Sequence, residues 1–208
     1  MVIQRAGGFC FKISAGDTTL ALNPPSQRSK YKVSKFGSDI VVVSVPDDDW
    51  NGVETATHSG KEPFVVSGPG AYEVGAVTIS GYATPAGYGD VMSDVGNTIY
   101  LIEMDGIRVL ALGGLSSPKL PSEIRSELDD IGILLVPVGD GTLGAKEAHE
   151  LATSIEPKVI IPYIVGGKEE DLKAFLKAEG ESGATPTDKF TIRPKELAAM
   201  DGEIILLQ

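Results

Sequence analysis

The 208-residue sequence is poor in cysteine, histidine and aromatic side chains, and it has few cations relative to anions. A single cysteine, Cys10, excludes a disulfide framework and fits the reducing cytoplasm, where we expect the protein to reside. No apolar run approaches the length of a membrane-spanning helix, and the first residues lack the apolar core of a signal peptide. The net charge of −11 repels phosphate backbones and anionic lipids. We therefore expect neither nucleic acid nor membrane as a partner.

Apolar and turn-forming residues are plentiful, with 42% hydrophobic side chains, 25 Gly and 13 Pro. Short β-forming runs separated by Gly and Pro fill the first half of the chain. Residues 83–96, rich in Gly, interrupt these runs and are predicted to form an irregular loop. In the second half, apolar strands alternate with helices predicted at 121–129, 145–155 and 168–178. This pattern favours an α+β fold, with sheets faced by helices in one domain over residues 1–208.

One buried strand and the loop after it form the candidate functional stretch. Four apolar β-formers at 40–43 predict a strand buried on both faces. The loop at 44–51 follows at once and carries three consecutive carboxylates, Asp47, Asp48 and Asp49. Polar loops at the ends of buried strands are where proteins with sheets and helices commonly place binding and catalytic residues. This loop is therefore predicted to carry the functional site.

The order of local motifs along the chain resembles that of a known family. The motifs are Gly-Gly-Phe-Cys-Phe at 7–11, Gly-Pro-Gly-Ala-Tyr-Glu-Val at 68–74, Gly-Asn-Thr-Ile-Tyr at 96–100, the Asp-Gly hairpin at 105–106, Pro-Val-Gly at 137–139 and Ile-Pro at 161–162. Their order and spacing resemble the metallo-β-lactamase fold superfamily, in particular small metal-dependent hydrolases similar to L-ascorbate-6-phosphate lactonase. The resemblance spans nearly the whole chain and implies a four-layer αββα sandwich.

The same resemblance implies a metal-binding cleft, but the corresponding positions lack metal-binding side chains. These positions are Gly8, Val45, Asp47, Asp49, Trp50, Ala111, Gly114 and Ile164. Of the implied ligand set, only Asp49 is retained. Zinc sites need at least three converging N, O or S donors, and the whole sequence has two histidines. We therefore expect no zinc, and we expect His58 and His149 to lie outside the site.

Three hypotheses follow for function. The first is a non-catalytic member of this hydrolase fold that binds an unknown small molecule or protein partner. Its cleft is either filled by its own side chains, Trp50 among them, or open and lined by Trp50 and Tyr163. The second is a hydrolase that holds Mg²⁺ or Ca²⁺ through Asp47 and Asp49, with further carboxylates from Asp90, Asp94 and Asp140 brought to the same edge. The third is a homo-oligomer whose apolar former cleft packs a partner chain.

Overall fold

Two β-sheets packed face to face make up most of the fold in the computed structural model. The structure describes residues 1–33, 35–58, 60, 62–89 and 91–208, with the backbone alone described for residues 91–95. The strands are β1 (Val2–Gly7), β2 (Cys10–Ala15), β3 (Thr18–Leu22), β4 (Ile40–Val43), β5 (Phe64–Ser67), β6 (Gly70–Val74), β7 (Val77–Tyr88), β8 (Val91–Met104), β9 (Ile107–Ala111), β10 (Ile133–Val138), β11 (Val159–Ile164), β12 (Phe190–Thr191) and β13 (Glu203–Ile204). The α-helices are α1 (Ala145–Ile155), α2 (Glu169–Ala178) and α3 (Pro194–Leu197), and 3₁₀ helices lie at Val53–Thr55 and Ser122–Glu127.

Both sheets mix parallel and antiparallel pairing. The first has six strands in the order β12-β1-β2-β3-β4-β5, and the second has seven in the order β13-β11-β10-β9-β8-β7-β6. Strands β9, β10 and β11 run parallel, as do β3, β4 and β5. Because the carboxyl ends of parallel neighbours meet at one edge, the loops after these strands gather at the same end of each sheet.

The apolar core has two main parts. Side chains from both sheets, such as Ile13, Val42 and Ile102, fill the space between the sheets. A second cluster, which includes Leu151 and Phe175, fills the space between the outer face of the second sheet and the helices α1 and α2. Along strands of the second sheet, successive side chains point alternately into these two parts of the core, as the two-residue period of a strand requires.

The architecture confirms the predicted α+β class and the αββα sandwich of the metallo-β-lactamase type. The outer layer on the first sheet is thin, however. There, a small cluster of Ala21, Val41, Val43 and Ala56 is covered by Phe36 and by Val53 of the short 3₁₀ helix. In the part of the chain that the structure describes, no α-helix packs in this cluster.

Most predicted elements are present, with two differences. The 145–155 helix has the predicted bounds, whereas the helix predicted at 121–129 is a 3₁₀ helix. The irregular loop predicted at 83–96 is wrong, because this stretch extends the hairpin of β7 and β8, with Thr84 opposite Asn97. The pairing register shifts once, between Thr84 and Ala86. Pro85 lies at this irregularity, because it has no N–H to donate to the ladder.

Helices of the described chain are short. None is long and apolar enough to cross a lipid bilayer.

Candidate functional site

Four aromatic side chains pack together beside positions that the resemblance assigns to a metal-binding cleft. Trp50 is fully buried, and its ring lies 4.4 Å from that of Phe9, centroid to centroid. Tyr88 packs edge-on against both rings at 5.5 Å, and Tyr31 meets Phe9 at 4.8 Å. We call these four residues, Phe9, Tyr31, Trp50 and Tyr88, the aromatic cluster. Edge-to-face aromatic pairs add to the stabilisation from burial, so the cluster is a packed part of the core.

Several of the predicted cleft positions meet at this cluster. Val45 and Ala111 are buried within the apolar core. A Cβ atom placed on Gly114 would lie 3.0 Å from Cγ2 of Val45 and 3.7 Å from Cζ2 of Trp50. Gly8 adopts a positive φ of 54°, and a Cβ there would lie 2.9 Å from Cβ of Tyr31. The structure therefore brings Gly8, Val45, Trp50 and Gly114 around one packed region.

Ile164 and Tyr163 lie at the end of β11, one beside the other in sequence. Ile164 is half-buried, whereas Tyr163 is fully buried and packs edge-on against Phe11 at 5.2 Å. The Tyr163 hydroxyl donates a 2.6 Å hydrogen bond to the carbonyl oxygen of Gly113. Burial raises the pKa of Tyr163, so the phenol stays protonated. Tyr163 therefore does not line an open cleft but joins β11 to the loop after β9.

Asp49 is the carboxylate retained from the implied ligand set, and protein donors surround it. Its Oδ1 accepts a hydrogen bond from Ser29 Oγ at 2.5 Å, and its Oδ2 accepts one from Tyr88 Oη at 2.6 Å. The Lys30 ammonium lies 3.6 Å from Oδ2. Burial by itself would raise the pKa of Asp49, but the bonds from Ser29 and Tyr88 and the charge of Lys30 outweigh it and lower that pKa. Asp49 is therefore an ionised, partnered carboxylate.

The two other carboxylates of the loop point to different partners. Asp47 accepts the backbone N–H of Asp49 at 2.8 Å through Oδ1, which caps the turn that carries Trp50. Asp48 accepts hydrogen bonds from Arg28 at 2.7 Å and Ser26 at 3.2 Å, in an exposed part of the loop. Three consecutive carboxylates thus have three separate sets of donors.

An open pocket of about 380 Å³ lies above the aromatic cluster, and Tyr88 separates the two. Its lining residues come from five segments of the chain and are Lys30, Asp47, Asp49, Gly87, Tyr88, Gly89, Asp140, Gly141 and Gly166. The predicted meeting of Asp47, Asp49 and Asp140 at one edge is therefore seen in this pocket. Asp90 and the side chain of Asp94, also predicted to lie there, fall outside the described residues.

Glycines allow the backbones around this pocket to approach closely. Gly141 has a φ of +76°, and a Cβ on it would lie 2.3 Å from the carbonyl oxygen of Gly87. A Cβ on Gly166 would lie 2.9 Å from the carbonyl oxygen of Asp140. Side chains larger than hydrogen would separate these loops, so glycine is required for the rim to close.

Asn97 joins the loops beneath the site and was not predicted as a site residue. Its Nδ2 donates to Thr84 Oγ1 at 2.8 Å and to the Leu112 carbonyl at 3.1 Å, and its Oδ1 accepts the N–H of Gly114 at 2.8 Å. The motif at 96–100 pointed to this asparagine without indicating its bonds. Ser29, Lys30 and Tyr88 were also missed, because no local pattern links them to Asp49.

Neither histidine lies among the pocket residues, and the single cysteine is buried elsewhere. His58 is exposed, and His149 pairs with Glu179 through a 2.9 Å contact between α1 and the end of α2. Cys10 is fully buried, which raises its pKa to about 12 and keeps the thiol protonated. Among the residues that the structure describes, no three His, Cys, Asp or Glu side chains lie close enough to hold one metal ion together.

Comparisons with known proteins agree with this architecture. A solved structure from Thermotoga maritima, described as a candidate Zn-dependent hydrolase of the metallo-beta-lactamase superfamily, is 26% identical with a TM-score of 0.76, and 100% of each chain is covered. A candidate metal-dependent hydrolase from Parabacteroides distasonis is 16% identical, with a TM-score of 0.69 and 99% of this chain and 93% of that chain covered. The metallo hydrolase Igni18 from Ignicoccus hospitalis is 15% identical, with a TM-score of 0.60, and 92% of this chain and 99% of that chain are covered. At such identities the latter two show likeness of fold alone. No curated protein matches the chain.

The family model described as beta-lactamase superfamily domain matches residues 2–164, more than three quarters of the chain. Together with the two-sheet architecture, this match shows that the chain belongs to the metallo-β-lactamase superfamily of metal-dependent hydrolase-like proteins.

Proposed function

We propose that this chain is a non-catalytic member of the superfamily that acts by binding or assembly. The observation that carries the proposal is the state of Asp49. Both of its oxygens accept hydrogen bonds from hydroxyl groups of the protein, at 2.5 Å and 2.6 Å, and Lys30 supplies a nearby positive charge. A metal ion at this carboxylate would have to displace these donors.

The residues at the implied ligand positions do not fit a zinc ion. Val45, Ala111 and Ile164 have no lone pairs on their side chains, and the Trp50 ring occupies the space beside Gly114. Zinc sites in proteins use at least three nitrogen, sulfur or oxygen ligands at about 2.0–2.3 Å. This donor set is therefore unsuited to hydrolysis through zinc.

Elemental analysis of the purified protein tests the proposal. We expect far less than one equivalent of any transition metal per chain, and no change in thermal midpoint on adding a chelator or zinc, because bound metal would stabilise the folded state. The matched variants are Asp49→Ala and Asp48→Ala, since Asp48 is exposed and lies outside the pocket lining. Stoichiometric metal that Asp49→Ala loses and Asp48→Ala retains would overturn the proposal.

A second candidate is a hydrolase that holds Mg²⁺ or Ca²⁺ in the same pocket. Asp47, Asp49 and Asp140 all line it, and hard cations accept carboxylates together with several waters. Titration calorimetry with each cation separates the candidates. Saturable binding near one equivalent that is lost in both Asp47→Ala and Asp49→Ala would favour the hydrolase. Heats no larger than those of dilution would favour the non-catalytic member.

Under the first candidate, we assign small-molecule binding to the open pocket over Tyr88, because the aromatic cluster closes the cleft beneath it. A buried thiol at Cys10 is compatible with the cytoplasmic location that we expect.

A further inference from the structure

Strand β5 lies at the edge of the first sheet and carries apolar side chains in contact with solvent. Phe64 is 48% exposed and Val65 is 41% exposed. Among the residues that the structure describes, these two are the exposed large apolar side chains. They are adjacent in sequence, so one lies on each face of the strand at its open edge.

The backbone of β5 also has hydrogen-bonding groups directed away from the sheet. The N–H of Phe64 donates to the Asp39 carbonyl at 2.8 Å, on the side of β4, and the two strands run parallel in register. Because backbone direction alternates along a strand, the N–H and C=O groups of Val65 and Ser67 point to the open edge. No strand of the described chain pairs with that edge. Pro63 offers only a carbonyl there.

A groove of about 470 Å³ runs beside this edge. Its lining residues are Val53, Glu54, Thr57, Glu62, Pro63 and Val65. The Glu54 carboxylate accepts the backbone N–H of Gln27 at 2.8 Å, whereas Glu62 is exposed and has no side-chain partner among the described residues. The groove thus combines an apolar floor with two carboxylates.

We propose that β5 is a docking site for an extended segment of a partner protein in which apolar residues alternate with Lys or Arg. Such a segment would add a seventh strand to the first sheet through the outward groups of Val65 and Ser67, with its apolar side chains beside Phe64 on one face and its cationic side chains on the face of Val65, along the groove. Its cationic side chains would pair with Glu54 and Glu62.

Charge selects this partner over a second copy of the chain. Each copy has a net charge of −11, and an edge-to-edge dimer would bring the carboxylates beside β5 closer to those of another anionic molecule. Like charges across an interface disfavour association, whereas complementary charges favour it. The inference does not depend on the proposed function of the cleft, because no residue of this groove lines the pocket at Asp49.

Peptide titration followed by NMR tests the proposal. The probe is the acetylated and amidated heptapeptide Lys-Val-Lys-Val-Lys-Val-Lys, and its matched control replaces every Lys with Glu. We expect saturable shifts of the Val65 and Ser67 amides and slower hydrogen exchange at both with the Lys peptide, and neither effect with the Glu peptide.

Two pairs of variants locate the interaction. Val65→Pro removes the outward N–H without removing a bond to β4, and we expect the Lys peptide to bind about tenfold more weakly, as for a lost interfacial hydrogen bond and blocked pairing. Val65→Thr keeps the N–H and should bind as the parent does. Glu62→Lys should weaken binding, and Glu181→Lys, an exposed charge change on another part of the chain, should have little effect.

Three results would overturn the proposal. The first is equal binding of both peptides, and the second is binding that is unchanged in both Val65→Pro and Glu62→Lys. The third is a dimer in sedimentation velocity that Val65→Pro dissociates, which would assign the edge to a second copy. Unfolding midpoints of the variants confirm that each is folded, and Glu62→Lys, a surface change, keeps the test valid should Val65→Pro not fold.

Discussion

Asp49 illustrates how a carboxylate at an implied ligand position can be stabilised without metal. Its side chain is only 13% exposed, so loss of hydration alone would favour the protonated acid. Hydrogen bonds from Ser29 and Tyr88 and the charge of Lys30 reverse that preference and lower the pKa of Asp49. Three residues distant in sequence therefore determine the ionisation of the carboxylate.

Replacing Asp49 with Asn tests this account at the residue scale. The pKa of Asp49 is lower in the folded chain than in the unfolded one, so its stabilisation is complete above an unfolded-state pKa of about 3.9 and is lost as pH falls through the folded-state pKa. We expect Asp49→Asn to lower the free energy of unfolding by about 1–3 kcal/mol at pH 7. The acid limb of the stability curve should also become flatter below about pH 4. Urea unfolding followed by Trp50 fluorescence, the single tryptophan, measures both.

The matched control is Asp48→Asn, whose carboxylate is 44% exposed and pairs with an exposed arginine. Exposed pairs of this kind contribute about 0–1 kcal/mol, so we expect a small effect and an unchanged acid limb. Identical acid limbs for the parent and Asp49→Asn would contradict the argument.

Tyr88 contributes a ring to the aromatic cluster and a hydroxyl to Asp49. Tyr88→Phe removes the hydroxyl alone, so we expect a loss of about 1–3 kcal/mol and greater acrylamide quenching of Trp50, because the ring is no longer tied to Asp49. Tyr82→Phe is the control, since the Tyr82 hydroxyl bonds to Glu127 and Tyr82 is not in the aromatic cluster. Equal quenching in the two variants would show that the Tyr88 hydroxyl does not hold the cluster closed.

At the scale of elements, the site depends on how closely the β7–β8 hairpin approaches the loop after β10. A Cβ on Gly141 would lie 2.3 Å from the carbonyl oxygen of Gly87, at a φ of +76°. We expect Gly141→Ala to destabilise the protein by about 2–4 kcal/mol, since it combines a strained φ with a backbone clash. It should also increase quenching of Trp50 by moving Tyr88 away.

The control variant Gly16→Ala has the strained φ without the clash, so the difference in free energy of unfolding between the two variants gives the cost of the clash. Gly16 has a φ of +55°, but nothing lies within 4 Å of the added Cβ. We expect this control to lose about 1 kcal/mol, the cost of the conformation alone. Equal losses in the two variants, measured by urea unfolding, would show that the hairpin tip is free to move away.

For the whole molecule, charge is unevenly distributed along the chain. Residues 1–46 contain six Lys or Arg and two Asp or Glu. The remaining residues contain 12 Lys or Arg and 27 Asp or Glu. A net charge of −11 destabilises a folded state by self-repulsion. The basic first quarter also supplies Lys30 and Arg28, which pair with Asp49 and Asp48. Repulsion and local attraction therefore act in opposite directions.

We expect repulsion to dominate, so that the thermal midpoint rises when NaCl increases from about 10 mM to about 150 mM and the Debye length falls from about 30 Å to about 8 Å. The double variant Glu150→Gln and Glu181→Gln removes two negative charges at exposed positions, so the net charge changes from −11 to −9, and its midpoint should depend less on salt. A midpoint that falls with salt would show that attraction within the ion pairs of the chain outweighs the repulsion.

Local sequence patterns predicted those elements in which the arrangement of apolar residues reports burial directly. The β4 strand follows from its continuous apolar run, the helix at Ala145–Ile155 follows from its apolar period, and the hairpin at 105–106 follows from its Asp-Gly turn. The 83–96 stretch was missed because its Gly and polar residues carry no clear period. Its strands are defined by pairing with each other, including Gly87 with Met92, which no single-strand pattern contains.

The sequence by itself determined the motif order that predicts the fold, and the scarcity of imidazoles at the implied ligand positions, because composition does not depend on folding. Only the tertiary structure decided the state of the site. Ser29 and Tyr88 lie 20 and 39 positions from Asp49 and reach it only when the loop after β3 and the end of β7 meet above the β4 loop. The full burial of Trp50 against Phe9 is likewise a product of packing between distant segments, because side-chain contacts across sheets are set by the assembled layers.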